Sequence, residues 1–174
     1  GNVFGFQLWV NLPAALKMSQ PRYQEVNSET IPVVEIEGAK IRLVAGEVEG
    51  VQGPVAEIAA NPVYIDVELE AGAGFNYAIQ QGYTAVAYVF EGEAAFGIDQ
   101  HGQGRLVNAV HLVEFSDGDQ LQVQTNPDSG VRFMLIAGAP FNEPIVPYGP
   151  FVMNTPQEIQ QALADLRNGT FVKT

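Results

Sequence analysis

Two histidines, His101 and His111, are the only imidazoles among the 174 residues, and cysteine is absent. Disulfides, metal–thiolate sites and cysteine nucleophiles are therefore excluded. His101 lies in Asp99-Gln100-His101-Gly102-Gln103-Gly104, a polar, glycine-rich stretch that reads as a turn. His111 lies in Ala109-Val110-His111-Leu112-Val113, which reads as a strand. Such a pair could bind a metal or move a proton, but the contexts favour a solvated turn histidine and a histidine on a strand's polar face. Asp66 and Glu68 share a strand face with Tyr64. Paired carboxylates can act as acid and base; alternate acidic residues on an exposed face are more often simply solvated. Gly102-Gln103-Gly104 has no following Lys-Ser/Thr and no helix start, so it reads as a hairpin turn rather than a phosphate loop. Ser28, Ser116 and Ser129 sit in turn-like contexts with no histidine near in sequence, which gives a serine nucleophile no support.

Charge narrows the partners. Eight Lys and Arg against 20 Asp and Glu give a net charge of −12. No basic stripe exists to neutralise phosphates, so direct nucleic-acid binding is not expected. An acidic surface keeps the chain dissolved and could meet a basic protein. No apolar run reaches membrane-spanning length, and the apolar N-terminus has no basic region and is interrupted by Asn11 and Pro13. A cytoplasmic location is the expectation.

The elements that would position these residues are mostly strands. Phe6, Leu8, Val10 and Leu12 alternate with Gln7, Trp9 and Asn11; Val63, Ile65, Val67 and Leu69 alternate with Tyr64, Asp66 and Glu68. That period of two is the mark of a half-buried strand. Further strands are expected over 41–45, 83–90, 93–98, 109–115, 120–124 and 131–137. Turn residues fall between most of them, as in Glu91-Gly92, His101-Gly102, Asp117-Gly118 and Asn126-Pro127-Asp128. Many short strands at this spacing predict an antiparallel sandwich or barrel. One helix stands apart. Thr155 can cap it, Pro156 suits its first position, and Glu158 completes a capping box. Ile159, Ala162, Leu163 and Leu166 then recur at helical spacing until Asn168-Gly169. Its single apolar stripe should dock on the sandwich. A weaker helical turn is expected from Ala14 to Met18.

Gly5-Phe6-Gln7-Leu8-Trp9-Val10-Asn11-Leu12-Pro13, followed by Pro21-Arg22-Tyr23-Gln24-Glu25, resembles the start of the C-terminal half of pirins. Gly149-Pro150-Phe151-Val152-Met153-Asn154-Thr155 is similar to the string that precedes that family's terminal helix. Three shorter stretches, 44–47, 88–93 and 135–140, fall between them in the expected order. The resemblance covers essentially the whole chain. It implies an all-β fold: an antiparallel jelly-roll (cupin) β-sandwich or barrel with a C-terminal α-helix, the second half of a bicupin. The implied division is a linking strand and turn over 1–22, the jelly roll over 23–150 and a helical appendage over 151–174. The first jelly roll would lie upstream, and the start at Gly1, inside the linking segment, leads to the expectation of a shortened chain.

In the family, a metal ion, usually iron, is held in the first jelly roll by a His-x-His and a His-x-Glu string. Neither string lies in this chain. The same register in the second jelly roll, counted back from Gly92, falls on Ile79, Gln81 and Ala85, and the later strand at 121–125 has no histidine. Imidazole and carboxylate suit iron; aliphatic side chains do not. The expectation is no metal, no cofactor and no catalytic residue in this chain. The resemblance implies a structural or regulatory, protein-binding role, as in transcription co-regulators, or the non-catalytic half of a metal-dependent quercetin 2,3-dioxygenase. Trp9, Phe151 and Met153 are candidates for a domain interface, either with the missing first jelly roll or in a homodimer that imitates the bicupin contact.

Overall fold

The computed structural model describes residues 5–172. They form thirteen strands, a short 3-10 turn at Ala14–Leu16 and one α-helix. The chain divides into two compact units. One is Gln24–Pro140. The other joins the described residues of Gly1–Tyr23 and Phe141–Thr174. The segment 141–150, assigned on sequence to the jelly roll, thus groups with the terminal helix.

The larger unit is the jelly roll. Its strands are β1 (Val33–Ile36), β2 (Ala39–Ala45), β3 (Glu47–Val48), β4 (Val51–Gln52), β5 (Val63–Leu69), β6 (Gly74–Ala78), β7 (Thr84–Phe96), β8 (Arg105–Asn108), β9 (His111–Glu114), β10 (Gln120–Gln124) and β11 (Val131–Gly138). β3 and β4 pair only with each other; the rest form one continuous antiparallel sheet, ordered β1-β2-β5-β11-β7-β10-β6, with β8 and β9 also on β7.

β7 closes the roll. Its first half pairs with β11 and β9, and its second half with β8 and β10. The sequence reads as two strands parted by a turn at Glu91-Gly92; the structure instead has one 13-residue strand with a bulge. Phe133 opposes Val89 and Arg132 opposes Glu91, so Phe90 is the extra residue. Gly92 lies at φ +69°, and a Cβ there would fall 2.0 Å from the Gly130 carbonyl oxygen. A glycine is needed not to reverse the chain but to let two backbones meet while the strand passes from one sheet face to the other.

Alternation then fills the interior. Ile41 and Leu43 (β2), Ile65, Val67 and Leu69 (β5), Phe133, Leu135 and Ala137 (β11), and Ala85, Ala87 and Val89 (β7) are buried. Phe75 and Phe96 enter from β6 and from the second half of β7. The Phe133 ring meets both edge-on, at 6.1 Å from Phe75 and 5.2 Å from Phe96. Edge-to-face packing suits the ring quadrupoles. Thr125, the one buried polar residue among the described residues, donates to two backbone carbonyls, Glu70 at 2.7 Å and Ala73 at 2.9 Å.

The smaller unit holds the helix α1 (Pro156–Asn168) against the hairpin of β12 (Val146–Tyr148) and β13 (Phe151–Met153). Met153, Ile159 and Ala162 make its core, with Met18, Val146, Phe151, Leu163 and Phe171 packed around them. The apolar stripe of the helix therefore docks on this hairpin, whereas Leu166 stays exposed. The capping box is complete: Thr155 Oγ1 accepts from Glu158 N–H, and the Glu158 carboxylate accepts from Thr155 N–H. Gly169 ends the helix in the left-handed conformation.

The stretch 6–12 is not a strand, despite its alternation. A strand needs a hydrogen-bonded neighbour, and no described strand pairs with it. Phe6, Leu8, Val10 and Leu12 keep about two fifths of their surface exposed and Trp9 keeps 65%. Patterning alone reports which side of a ribbon is apolar, not whether another strand lies beside it.

Candidate functional site

The inward end of the jelly roll near Ile79, Ala85 and Leu121 is the place where ligands could be held by a ring of strand side chains. Ile79 and Ala85 are buried, and Gln81 points its residue into the exposed turn between β6 and β7. On β10, Leu121 and Val123 are buried, and Thr125, just past the strand's end, donates to the Glu70 and Ala73 carbonyls. No three His, Asp or Glu side chains come together among the described residues. Hydrocarbon occupies the positions where a transition metal would need imidazole nitrogen or carboxylate oxygen, so the residues present in this jelly roll do not fit a metal ion. Ile79, Ala85, Phe115 and Leu121 instead help enclose a cavity of about 140 Å³.

The two histidines are held apart from this place. His101 sits in an exposed turn between β7 and β8, organised by Asp99, whose Oδ1 accepts from the His101 and Gln103 N–H groups at 2.8 and 2.9 Å. Gly102-Gln103-Gly104 belongs to the same turn. His111 opens β9, exposed, with Nδ1 at 3.2 and 3.1 Å from the Asn108 and Ala109 carbonyls. That contact makes the ring a local fastener of the β8–β9 hairpin.

Asp66 and Glu68 differ from a solvated acidic face. Arg132, opposite on β11, donates from Nε to Asp66 Oδ1 at 2.9 Å and from Nη2 to Oδ2 at 2.5 Å. Arg42, from β2, stands 3.4 Å from Asp66 Oδ2 and 3.4 Å from Glu68 Oε2. The Arg132 guanidinium also lies 5.1 Å from the centre of the Phe90 ring. Asp66 keeps only 13% of its side-chain surface. The hydrogen bond to Asp66 raises the Arg132 pKa further, and burial, then the Asp66 charge, pushes up that of Tyr64. This is a carboxylate committed to two guanidiniums, not a free acid or base. Nothing in the local sequence marks Arg42 and Arg132 as its partners; only the strand register brings them opposite.

The interface candidates fall in the smaller unit. Trp9 is exposed. Phe151 is half-buried, its ring edge-on to Phe171 at 5.3 Å. Met153 is buried under the helix, at 6% exposure. Glu143 was not visible as a functional residue in sequence. Its Oε2 accepts from Ala14 N–H at 2.7 Å and from Asn154 Nδ2 at 3.0 Å, tying the N-terminal turn to the residue before the helix cap. Asn154 Oδ1 is buried without a partner among the described residues. No helix among the described residues is long and apolar enough to cross a membrane.

A curled antiparallel roll with an interior of hydrocarbon, followed along the chain by a helix, defines a cupin-fold domain. The Pirin C-terminal cupin domain matches residues 64–172. The human protein Pirin is 38% identical over 164 residues, which are 94% of this chain and 56% of the human protein. A crystal structure of a quercetin 2,3-dioxygenase from Acinetobacter baumannii superposes with a TM-score of 0.80 at 30% identity, over 94% of this chain and 55% of that one. A bacterial pirin from Escherichia coli, solved with nickel(II), shares the fold with a TM-score of 0.53 at 16% identity, over 65% of this chain and 50% of that one. The chain belongs to the pirin family and corresponds to its C-terminal half. It spans a little over half the length of the relatives it matches.

Proposed function

We propose that this chain serves as the metal-free C-terminal cupin half of a pirin-like protein, with a structural and regulatory role exercised through protein contacts. The observation that carries the reading is the hydrocarbon at Ile79 and Ala85, where a metal-bearing cupin would need ligands. A second observation agrees with it: the apolar side chains of 6–12, Trp9 above all, stand exposed in the segment that links the two cupins of the family. The contact is with an upstream jelly roll, Trp9 meeting it and Phe151 and Met153 holding the helix and hairpin in place. In its absence two copies of this chain cover the same surface as a homodimer. The −12 charge suits a basic protein as regulatory partner. Co-expression with an upstream cupin half from a family member tests this. Co-purification of the two halves, weakened by Trp9→Ala, is the expected result. Failure to associate, together with a monomer by light scattering at micromolar concentration, would sink it.

A second reading is favoured by the quercetin 2,3-dioxygenase likeness. The intact protein would open a flavonol with dioxygen at a metal in its upstream cupin, and this half would stay outside the chemistry. The assay is flavonol loss by the metal-loaded intact protein, set against this chain alone. Turnover by this chain alone would reverse the assignment of the two halves.

A further inference from the structure

The cavity near Ile79 has a floor and a rim of opposite chemistry. Its floor is aliphatic: Ile79, Ala85 and Leu121 are each under 10% exposed. Elsewhere in the roll, Phe75, Phe96 and Phe133 fill the space between strands. Beside Ala85, the small inward residue on β7, about 140 Å³ is left open, with Tyr83 and Phe115 in its wall. An apolar cavity of about 150 Å³ holds one benzene molecule.

The rim carries Ser116 and Asp117, from the loop that enters β10. Asp117 Oδ1 accepts from Gly82 N–H at 3.3 Å, so this carboxylate bridges that loop to the turn before β7. Its Oδ2 makes no hydrogen bond among the described residues. No lysine or arginine lines the cavity, and Asp119 follows two residues on. An anion would meet the Asp117 carboxylate with no cationic side chain in the lining to offset it. A cation with an apolar body would meet a fixed acceptor at the rim and hydrocarbon below.

We infer that this cavity binds a small primary amine with an apolar body of benzyl size. The ammonium donates to Asp117 Oδ2 in a charge-assisted hydrogen bond, and the body rests on Ile79, Ala85 and Leu121. Every residue lining it lies within Gln24–Pro140.

The test is a titration of the whole chain, followed by backbone amide NMR, with benzylamine, benzyl alcohol and benzoate as probes. Benzylamine should give saturable shifts at Gly82, Ala85 and Gly118, with a dissociation constant on the order of 1 mM. Benzyl alcohol should bind about threefold more weakly, as loss of an exposed ion pair implies, and benzoate should not bind. Asp117→Asn should bring benzylamine down to the level of benzyl alcohol. Ala85→Leu should fill the floor and abolish both. Non-saturable benzylamine shifts, equal binding of benzoate, or an Asp117→Asn variant that binds benzylamine as well as the parent would each overturn the inference. Should Ala85→Leu fail to fold, Asp117→Asn decides alone, because its side chain lies at the exposed rim.

Discussion

Gly92 illustrates how one residue can be read correctly as special and wrongly as to why. A glycine after a run of apolar residues signals a turn, and the sequence offers no way to see Gly130 coming from 38 positions downstream. Its φ of +69° and the 2.0 Å approach leave no room for a methyl group. Gly92→Ala should destabilise the chain by about 3 kcal/mol or more, read as a fall in urea midpoint with little change in slope. Arg132 is the other residue whose meaning depends on register. Arg132→Ala leaves Asp66 with Arg42 alone at 3.4 Å and little water. The expected cost is about 1–3 kcal/mol, typical of a part-buried charge that loses its partner. Arg132→Lys should recover only part of it, since an ammonium cannot make both bonds of the fork. Equal stability of the alanine variant and the parent would show the pair to be idle.

Among the elements, those whose information is local were legible. The helix was readable from Thr155, Pro156 and Glu158, because a cap is made by residues three apart. β5 and β10 were readable from alternation between a core and a polar face. Thr155→Ala should cost about 1 kcal/mol, seen as lost helical ellipticity and a lower melting temperature. Glu158 adds a pH dependence. The Asn154 N–H, then the Thr155 N–H, hold its carboxyl below the ordinary 4.5. A depressed carboxyl stabilises the folded state above its unfolded value and loses that effect as pH falls through its folded value. The stability gap between the parent and Glu158→Gln should therefore be full at pH 6 and close as the pH drops below 4.5. A gap constant down to pH 3 would mean that the cap does not depend on charge. The missed elements have non-local causes. β6 is missed although Phe75 and Tyr77 alternate with Gly74, Asn76 and Ala78: five residues are a short run, and its place is set by pairing with β10. β1 is an edge strand whose place is set by β2. The stretch 6–12 has the period of a strand without a strand beside it. The candidate site was legible only as positions, Ile79 and Ala85, while the cavity between them required the third dimension.

At the scale of the molecule, a roll filled with hydrocarbon makes a clear forecast for metal analysis. Incubation with excess iron(II) or nickel(II), followed by desalting, should leave far less than one equivalent on this chain. A stoichiometric, ordered ion inside the roll would contradict the side-chain chemistry at Ile79 and Ala85.

The meeting of Phe75, Phe96 and Phe133 carries one more consequence. In many metalloproteins the ion is part of what makes the fold stable, so starvation for that ion unfolds them. Here three aromatic rings supply cohesion of their own. Heating with and without a strong chelator should give superimposable melting curves, so depletion of metal ions should leave the stability of this half unchanged.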